Sequence, residues 1–300
     1  MIEAVNVSKR FRDIKAVDNI SATIKEGTVF GLIGTNGAGK STFLRMACGI
    51  LKPDSGEVLI DGLSVYENEE AKSKIFYISD DQFFLANATS NDMKNFYKAF
   101  YKNFDVKRFD DLMKKFDLDT NRKINTFSKG MKKQVSIISG ICSNTEYLFC
   151  DETFDGLDPV VRQAVKSIFA NEIEERNMTP IVASHNLREL EDICDHVGLL
   201  HKGGILLSKD LEEMKLNIHK LQCVLNNEKD EEVLYGKIDI IKKEKRGSLL
   251  TITARGTQLE ILDAIKDLNP LFYELLPLSL EEIFISETEV VGYDIKKLIF

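Results

Sequence analysis

Residues 34–42 read GTNGAGKST, and they follow Val29-Phe30-Gly31-Leu32-Ile33, an apolar run that reads as a buried strand. The pattern G-x-x-x-x-G-K-[ST] is met by Gly34, Gly39, Lys40 and Ser41, with Gly37 adding a glycine that the pattern does not require. Glycine lets successive backbone N–H groups turn inward around an anion. Lys40 is placed to reach the outer phosphates of a nucleotide and Ser41 to hold Mg²⁺ through its hydroxyl, while a helix opening here points its positive end at the phosphates. The apolar residues Phe43, Leu44, Met46 and Ala47 continue as that helix. Strand, phosphate loop and helix in this order predict the opening unit of an α/β P-loop NTPase core.

Upstream, alternation at residues 4–7 and 16–24 reads as half-buried strands, so an antiparallel β subdomain is expected before the core. Downstream, Pro53-Asp54-Ser55-Gly56 marks a turn and Glu57-Val58-Leu59-Ile60 a short strand. From about residue 85 to 145 the pattern is helical, with Phe96, Phe100 and Phe104 four apart and Tyr97 and Tyr101 on the adjoining stripe. This predicts an inserted helical subdomain whose aromatics serve either core packing or partner docking. Tyr147-Leu148-Phe149-Cys150 and Ile181-Val182-Ala183-Ser184 read as buried strands of a parallel sheet, separated by a helix over 160–175. After Lys202-Gly203-Gly204 the character changes. Strands near 238–241 and 249–253, a helix over 259–268 and then the run Phe272-Tyr273-Glu274-Leu275-Leu276 predict a small C-terminal α+β domain over 216–300, beside a nucleotide-binding domain over 1–215.

Composition narrows the function. Forty Lys and Arg against 48 Asp and Glu give a formal net charge of −8, which argues against a general nucleic-acid binder. Cys48, Cys142, Cys150, Cys194 and Cys223 are scattered and form no C-x-x-C pair, which suggests neither a disulfide framework nor a zinc site and fits a reducing cytoplasm. No apolar run approaches a bilayer span, so this chain is not expected to cross a membrane itself.

The strand at 147–150 ends in Asp151-Glu152. Alone, such a run is a strand leading into a solvated turn; paired with the phosphate loop, Asp151 would lie near Mg²⁺ and Glu152 could accept a proton from attacking water. Between these elements stands Phe127-Ser128-Lys129-Gly130-Met131, which resembles the L-S-G-G-Q signature of ABC-type ATPases, with Lys129 and Met131 departing from the commonest form. The resemblance implies that Ser128 and the Gly130 backbone donate to the γ-phosphate. Phe154-Asp155-Gly156-Leu157-Asp158 resembles that family's D-loop, and Ser184-His185 its switch histidine. Phe11 matches the aromatic that stacks on adenine. Asp80, in Ile78-Ser79-Asp80-Asp81-Gln82, falls where the family usually carries the Q-loop glutamine and could bind Mg²⁺ or orient water. Pro277-Leu278-Ser279-Leu280-Glu281-Glu282-Ile283-Phe284 looks like the closing segment of ATPase subunits from bacterial drug and peptide exporters, including lantibiotic and phenol-soluble-modulin-like ones.

The resemblance implies catalytic roles for Glu152, His185 and Asp80. It implies nucleotide contacts from Phe11, Gly34, Asn36, Gly37, Gly39, Lys40, Ser41, Thr42, Ser128, Gly130 and Asp158, and Mg²⁺ contacts from Ser41, Asp151 and Asp80. Because the signature serves the opposite subunit's site in this family, a homodimer, or a heterodimer with a related ATPase, is expected on ATP and Mg²⁺. A separate membrane permease would carry the exported peptide or drug and hold this chain at the cytoplasmic face. Two other readings stay open: a soluble ABC-type ATPase outside transport, and a nucleotide-sensing regulator.

Overall fold

The computed structural model describes residues 1–290 of the 300. The chain divides into two compact units, Met1–Ser208 and a second beginning at Lys209. The first opens with β1 (Ile2–Phe11), β2 (Ile14–Ile24), β3 (Phe30–Ile33), α1 (Lys40–Ala47), β4 (Ser55–Ile60), β5 (Leu63–Ser64), α2 (Glu69–Ser73) and β6 (Ile75–Ile78). Three helices follow, α3 (Ser90–Phe100), α4 (Val106–Lys115) and α5 (Lys129–Cys142). The chain then returns through β7 (Tyr147–Asp151), α6 (Pro159–Arg176), β8 (Thr179–Ser184), α7 (Leu187–Glu191), β9 (His196–His201) and β10 (Gly204–Asp210).

Two sheets organise this unit. The antiparallel one runs β2-β1-β4-β5, and the other runs β10-β9-β3-β8-β7-β6. In the latter β9, β3, β8, β7 and β6 are mutually parallel, with Ile33 level with Ser184 and Asp151 level with Ala183. Parallel strands need both faces covered, which is why β7 and β8 are buried at every residue. The common register brings the carboxyl ends of β3, β7 and β8 to one edge, where open α/β sheets hold their ligands. One continuous core packs the apolar side of α1, through Phe43, Leu44 and Met46, with Val7, Val17 and Ile20 of the antiparallel sheet and Leu32 and Phe149 of the parallel one.

Local signals set the helix starts. Thr89 and Asp92 form a reciprocal capping box on α3, and Asp158 accepts from the N–H groups of Val160 and Val161 ahead of α6, which begins with Pro159. The four-residue aromatic spacing does not continue as one helix. Helix α3 stops at Phe100, because Tyr101 turns extended and Asp105 must be extended to cap α4; Phe104 sits in the connection and packs on Phe109, centroids 5.9 Å apart. The adjoining stripe goes inward: Tyr97 and Tyr101 lie 5.0 and 5.3 Å from the Phe76 ring of β6. Phe83 and Phe100 stay exposed, flanking Phe96 at 5.9 and 4.8 Å.

The second unit contains α8 (Leu211–Asn217), β11 (Ile218–Val224), α9 (Glu228–Lys237), β12 (Asp239–Arg246), β13 (Leu249–Arg255), α10 (Gln258–Lys266), β14 (Phe272–Leu276) and α11 (Leu280–Val290). Its antiparallel sheet has the order β12-β13-β11-β14, so β11 to β14 make a βαββαβ arrangement of ferredoxin-like type. Leu221, Cys223, Leu250 and Ile252 of the sheet pack with Leu234, Ile261 and Ile265 of α9 and α10. Sequence periodicity missed β11 and α9, where short apolar alternation and a highly charged helix give weak signals. All five cysteines are buried thiols, and no helix among the described residues is long and apolar enough to cross a membrane.

Candidate functional site

The loop after β3 is built from close backbone approaches. A Cβ on Gly34 would lie 2.6 Å from the Leu200 carbonyl oxygen, and one on Gly39 would lie 2.2 Å from that of Ala16. Gly39 also has φ +105°, in the region that favours glycine. It precedes α1 with no side-chain cap, which leaves first-turn N–H groups for an anion. Asn36 and Gly37 lie at the exposed tip; Ser41 and Thr42 follow Lys40 in the first turn of α1, partly buried. Lys40 is only 5% exposed and folds back over its own loop. Its Nζ donates to the Gly34 carbonyl at 2.7 Å and pairs with Glu152 Oε1 at 3.1 Å.

Asp151, at the end of β7, is buried with both oxygens engaged. Ser41 Oγ donates to Oδ1 and the Tyr77 hydroxyl to Oδ2, each at 3.0 Å. Burial pushes the Asp151 carboxyl above the usual carboxylate range, although the two hydrogen bonds pull the other way. Burial likewise pushes the Tyr77 phenol up, so it stays a donor, and its hydrogen bond with Arg45 holds that guanidinium above its ordinary value. A buried carboxylate beside a hydroxyl fits a hard divalent cation. The described residues contain no cluster of three or more His, Cys, Asp or Glu able to hold a metal by themselves.

Glu152 turns the chain out of β7 in the left-handed region, φ +48°. Its N–H donates to the Ala183 carbonyl at 2.9 Å, and its Oε2 lies 2.9 Å from His185 Nδ1 at the end of β8. The carboxylate thus bridges Lys40 and His185. Ser184 and Asn186, flanking His185, are tied down by Glu189, which Arg162 meets at 3.4 Å.

The structure therefore brings together Lys40, Ser41, Asp151, Glu152 and His185, which come from two strand ends and one helix start. Ser128 caps α5, accepting from the Met131 N–H at 3.2 Å, and among the described residues it makes no hydrogen bond to any of those five. Gly130 stands opposite Gly156, where an added Cβ would lie 3.4 Å from that residue's carbonyl oxygen. Asp158 uses Oδ1 to cap α6. Phe11 closes β1, half exposed, beside the β2 segment that Gly39 touches, with Lys9 Nζ 5.9 Å from its ring centre. Asp80 sits in the exposed bend after β6, where the Gln82 amide donates to its carbonyl.

Three residues escaped the sequence reading. Tyr77 donates to Asp151, Arg45 bonds Tyr77 in turn, and Lys133 donates from α5 to the carbonyls of Glu152 at 2.6 Å and Asp155 at 2.8 Å. Burial lowers the Lys133 ammonium, opposed by the negative charges of Asp155, Asp80 and Glu152. A lysine on the inward side of an apolar helix was the signal available for it.

The chain is similar to known proteins both in sequence and in fold. The family described as "ABC transporter" matches residues 17–155. The ABC transporter ATP-binding protein YtrB of Bacillus subtilis is 29% identical over 96% of this chain and 98% of its own length. The bacitracin transport ATP-binding protein BcrA of Bacillus licheniformis is 30% identical over 72% of this chain and 71% of its own, and NatA of Bacillus subtilis 31% over 71% and 91%. Among solved structures, the ATP-binding subunit of an ABC transporter superposes with a TM-score of 0.65 at 23% identity, covering 72% of this chain and 92% of that one. A dimeric cassette in a post-hydrolysis state with ADP and Pi gives 0.62 at 22%, covering 70% and 99%.

Proposed function

Since this chain belongs to the ABC transporter family, as an ATP-binding subunit that hydrolyses ATP, we propose that it drives export of amphipathic peptides or hydrophobic drugs through a separate permease. The substrate class rests on the bacitracin and multidrug relatives and on the closing segment at 277–284. The permease would hold the chain at the cytoplasmic face of the membrane, docked on the exposed aromatics Phe83 and Phe100 and the segment from Asp80 to Leu85. The second unit is an accessory domain in this reading.

The observation that carries the ATPase mechanism is Glu152, set between Lys40 and His185 at 3.1 and 2.9 Å. Lys40 and the loop N–H groups hold the outer phosphates, with Asn36, Gly37 and Thr42 lining the loop, while Phe11 offers its ring to adenine. Glu152 takes a proton from a water whose oxygen attacks the γ-phosphorus; the bond to the β-γ bridging oxygen breaks, and ADP and phosphate leave. His185 holds the γ-phosphate and orients Glu152. Ser41 and Asp151, with Asp80, would hold Mg²⁺, which when bound neutralises charge on the β- and γ-phosphates.

Ser128 and Gly130 complete a second copy's site rather than their own, so the working unit is a dimer with two ATP molecules between the chains, and Asp158 lies in the loop joining the two sites. The test is Glu152→Gln with MgATP on a sizing column. A stable dimer with no steady phosphate release is expected; wild-type turnover in that variant refutes the base assignment, and a monomer refutes the shared site.

A further inference from the structure

Helix α5 begins at Ser128 and, slightly more than one turn on, buries Lys133 completely. A lysine held away from water needs acceptors, and this one finds two main-chain carbonyls just past the end of β7: Glu152 at 2.6 Å and Asp155 at 2.8 Å. Both belong to the turn that leaves β7. Within it Glu152 is left-handed, a conformation that a residue with a Cβ keeps only where its surroundings over-determine it. The Glu152 N–H is fixed by Ala183 and its carbonyl by Lys133, so two bonds from opposite sides set the direction of the carboxylate. Lys129, earlier in the same helix, reaches the side chain of Asp155 at 3.8 Å, but both are largely exposed and that link is weak.

We propose that Lys133 is a positioning residue that ties the helix headed by Ser128 to the turn carrying Glu152. In this assignment, closure of one chain's signature over its partner's ATP moves the base in that same chain's own site. The assignment rests on the shared-site reading above. Lys133 donates to main-chain carbonyls; it acts by holding the Glu152 and Asp155 backbone while α5 shifts as a rigid rod.

The test compares full-length wild type, Lys133→Met and Lys133→Gln by ATPase rate against ATP concentration, binding of a fluorescent ATP analogue, and thermal melting. Met keeps the stem and removes the donors, whereas Gln restores an N–H able to reach one carbonyl. For Met the expected result is unchanged nucleotide affinity, a kcat lower by about 10- to 100-fold because the base is misplaced, and a Hill coefficient falling to one. Gln recovers part of both kcat and cooperativity. Wild-type kcat and Hill coefficient in Lys133→Met overturn the proposal, as does a joint loss of affinity, rate and melting temperature in both variants, which marks mere packing. Glu152→Gln eluting as a monomer with MgATP instead removes the shared site itself, whatever Lys133 does.

Discussion

Lys40 and Glu152 form an ion pair of 3.1 Å, so the ammonium proposed to meet phosphate and the carboxylate proposed to meet water neutralise each other. In the proposed mechanism ATP draws Lys40 away before Glu152 acts as a base.

Glu152→Gln frees Lys40 from this competition. Its affinity for ATP, read by titration with a fluorescent analogue, is expected to rise several-fold while phosphate release falls by about 100-fold or more, as for loss of a general base. Weaker binding than wild type would show that the ion pair assists the phosphate site rather than competing with it.

Asp151 carries a cost to stability. Its carboxyl is raised by burial, so the folded chain holds that proton more tightly than the unfolded one. The resulting stabilisation is complete below the ordinary value of 3.8 and lost as pH rises through the raised value. Asp151→Asn removes the buried charge. In metal-free buffer at pH 7 the variant should melt above wild type, the gap should narrow on acidification, and MgATP hydrolysis should vanish. A lower melting temperature at pH 7 would mean that the bonds to Ser41 and Tyr77 outweigh the burial.

Phe83 and Phe100 expose apolar rings on either side of Phe96. Phe83→Ser with Phe100→Ser should leave folding and basal ATPase of the isolated subunit intact and reduce co-purification with the permease. Unfolding of the double variant would assign both rings to packing.

The phosphate loop, Asp151 and Glu152 were legible because each chemistry is written in contiguous residues, and buried strands announce themselves by apolar runs. The ferredoxin-like order of the second unit was not legible beyond α+β, since strand order depends on pairings between β11, β13 and β14 that no local pattern encodes. The aromatic stripe misled in part: spacing by four placed Phe104 on the helix of Phe96, but the Asp105 cap ended that register.

Sequence by itself determined which groups are present and which strand or helix end each occupies. Tertiary structure alone decided that Glu152 stands between Lys40 and His185, that the Tyr77 hydroxyl donates to Asp151, and that Lys133 reaches the turn after β7. The reason is that hydrogen bonds and ion pairs act over about 3 Å. Residues 110 positions apart, as Ser41 and Asp151 are, come within that range only when parallel strands in a fixed register carry them to one edge of a sheet.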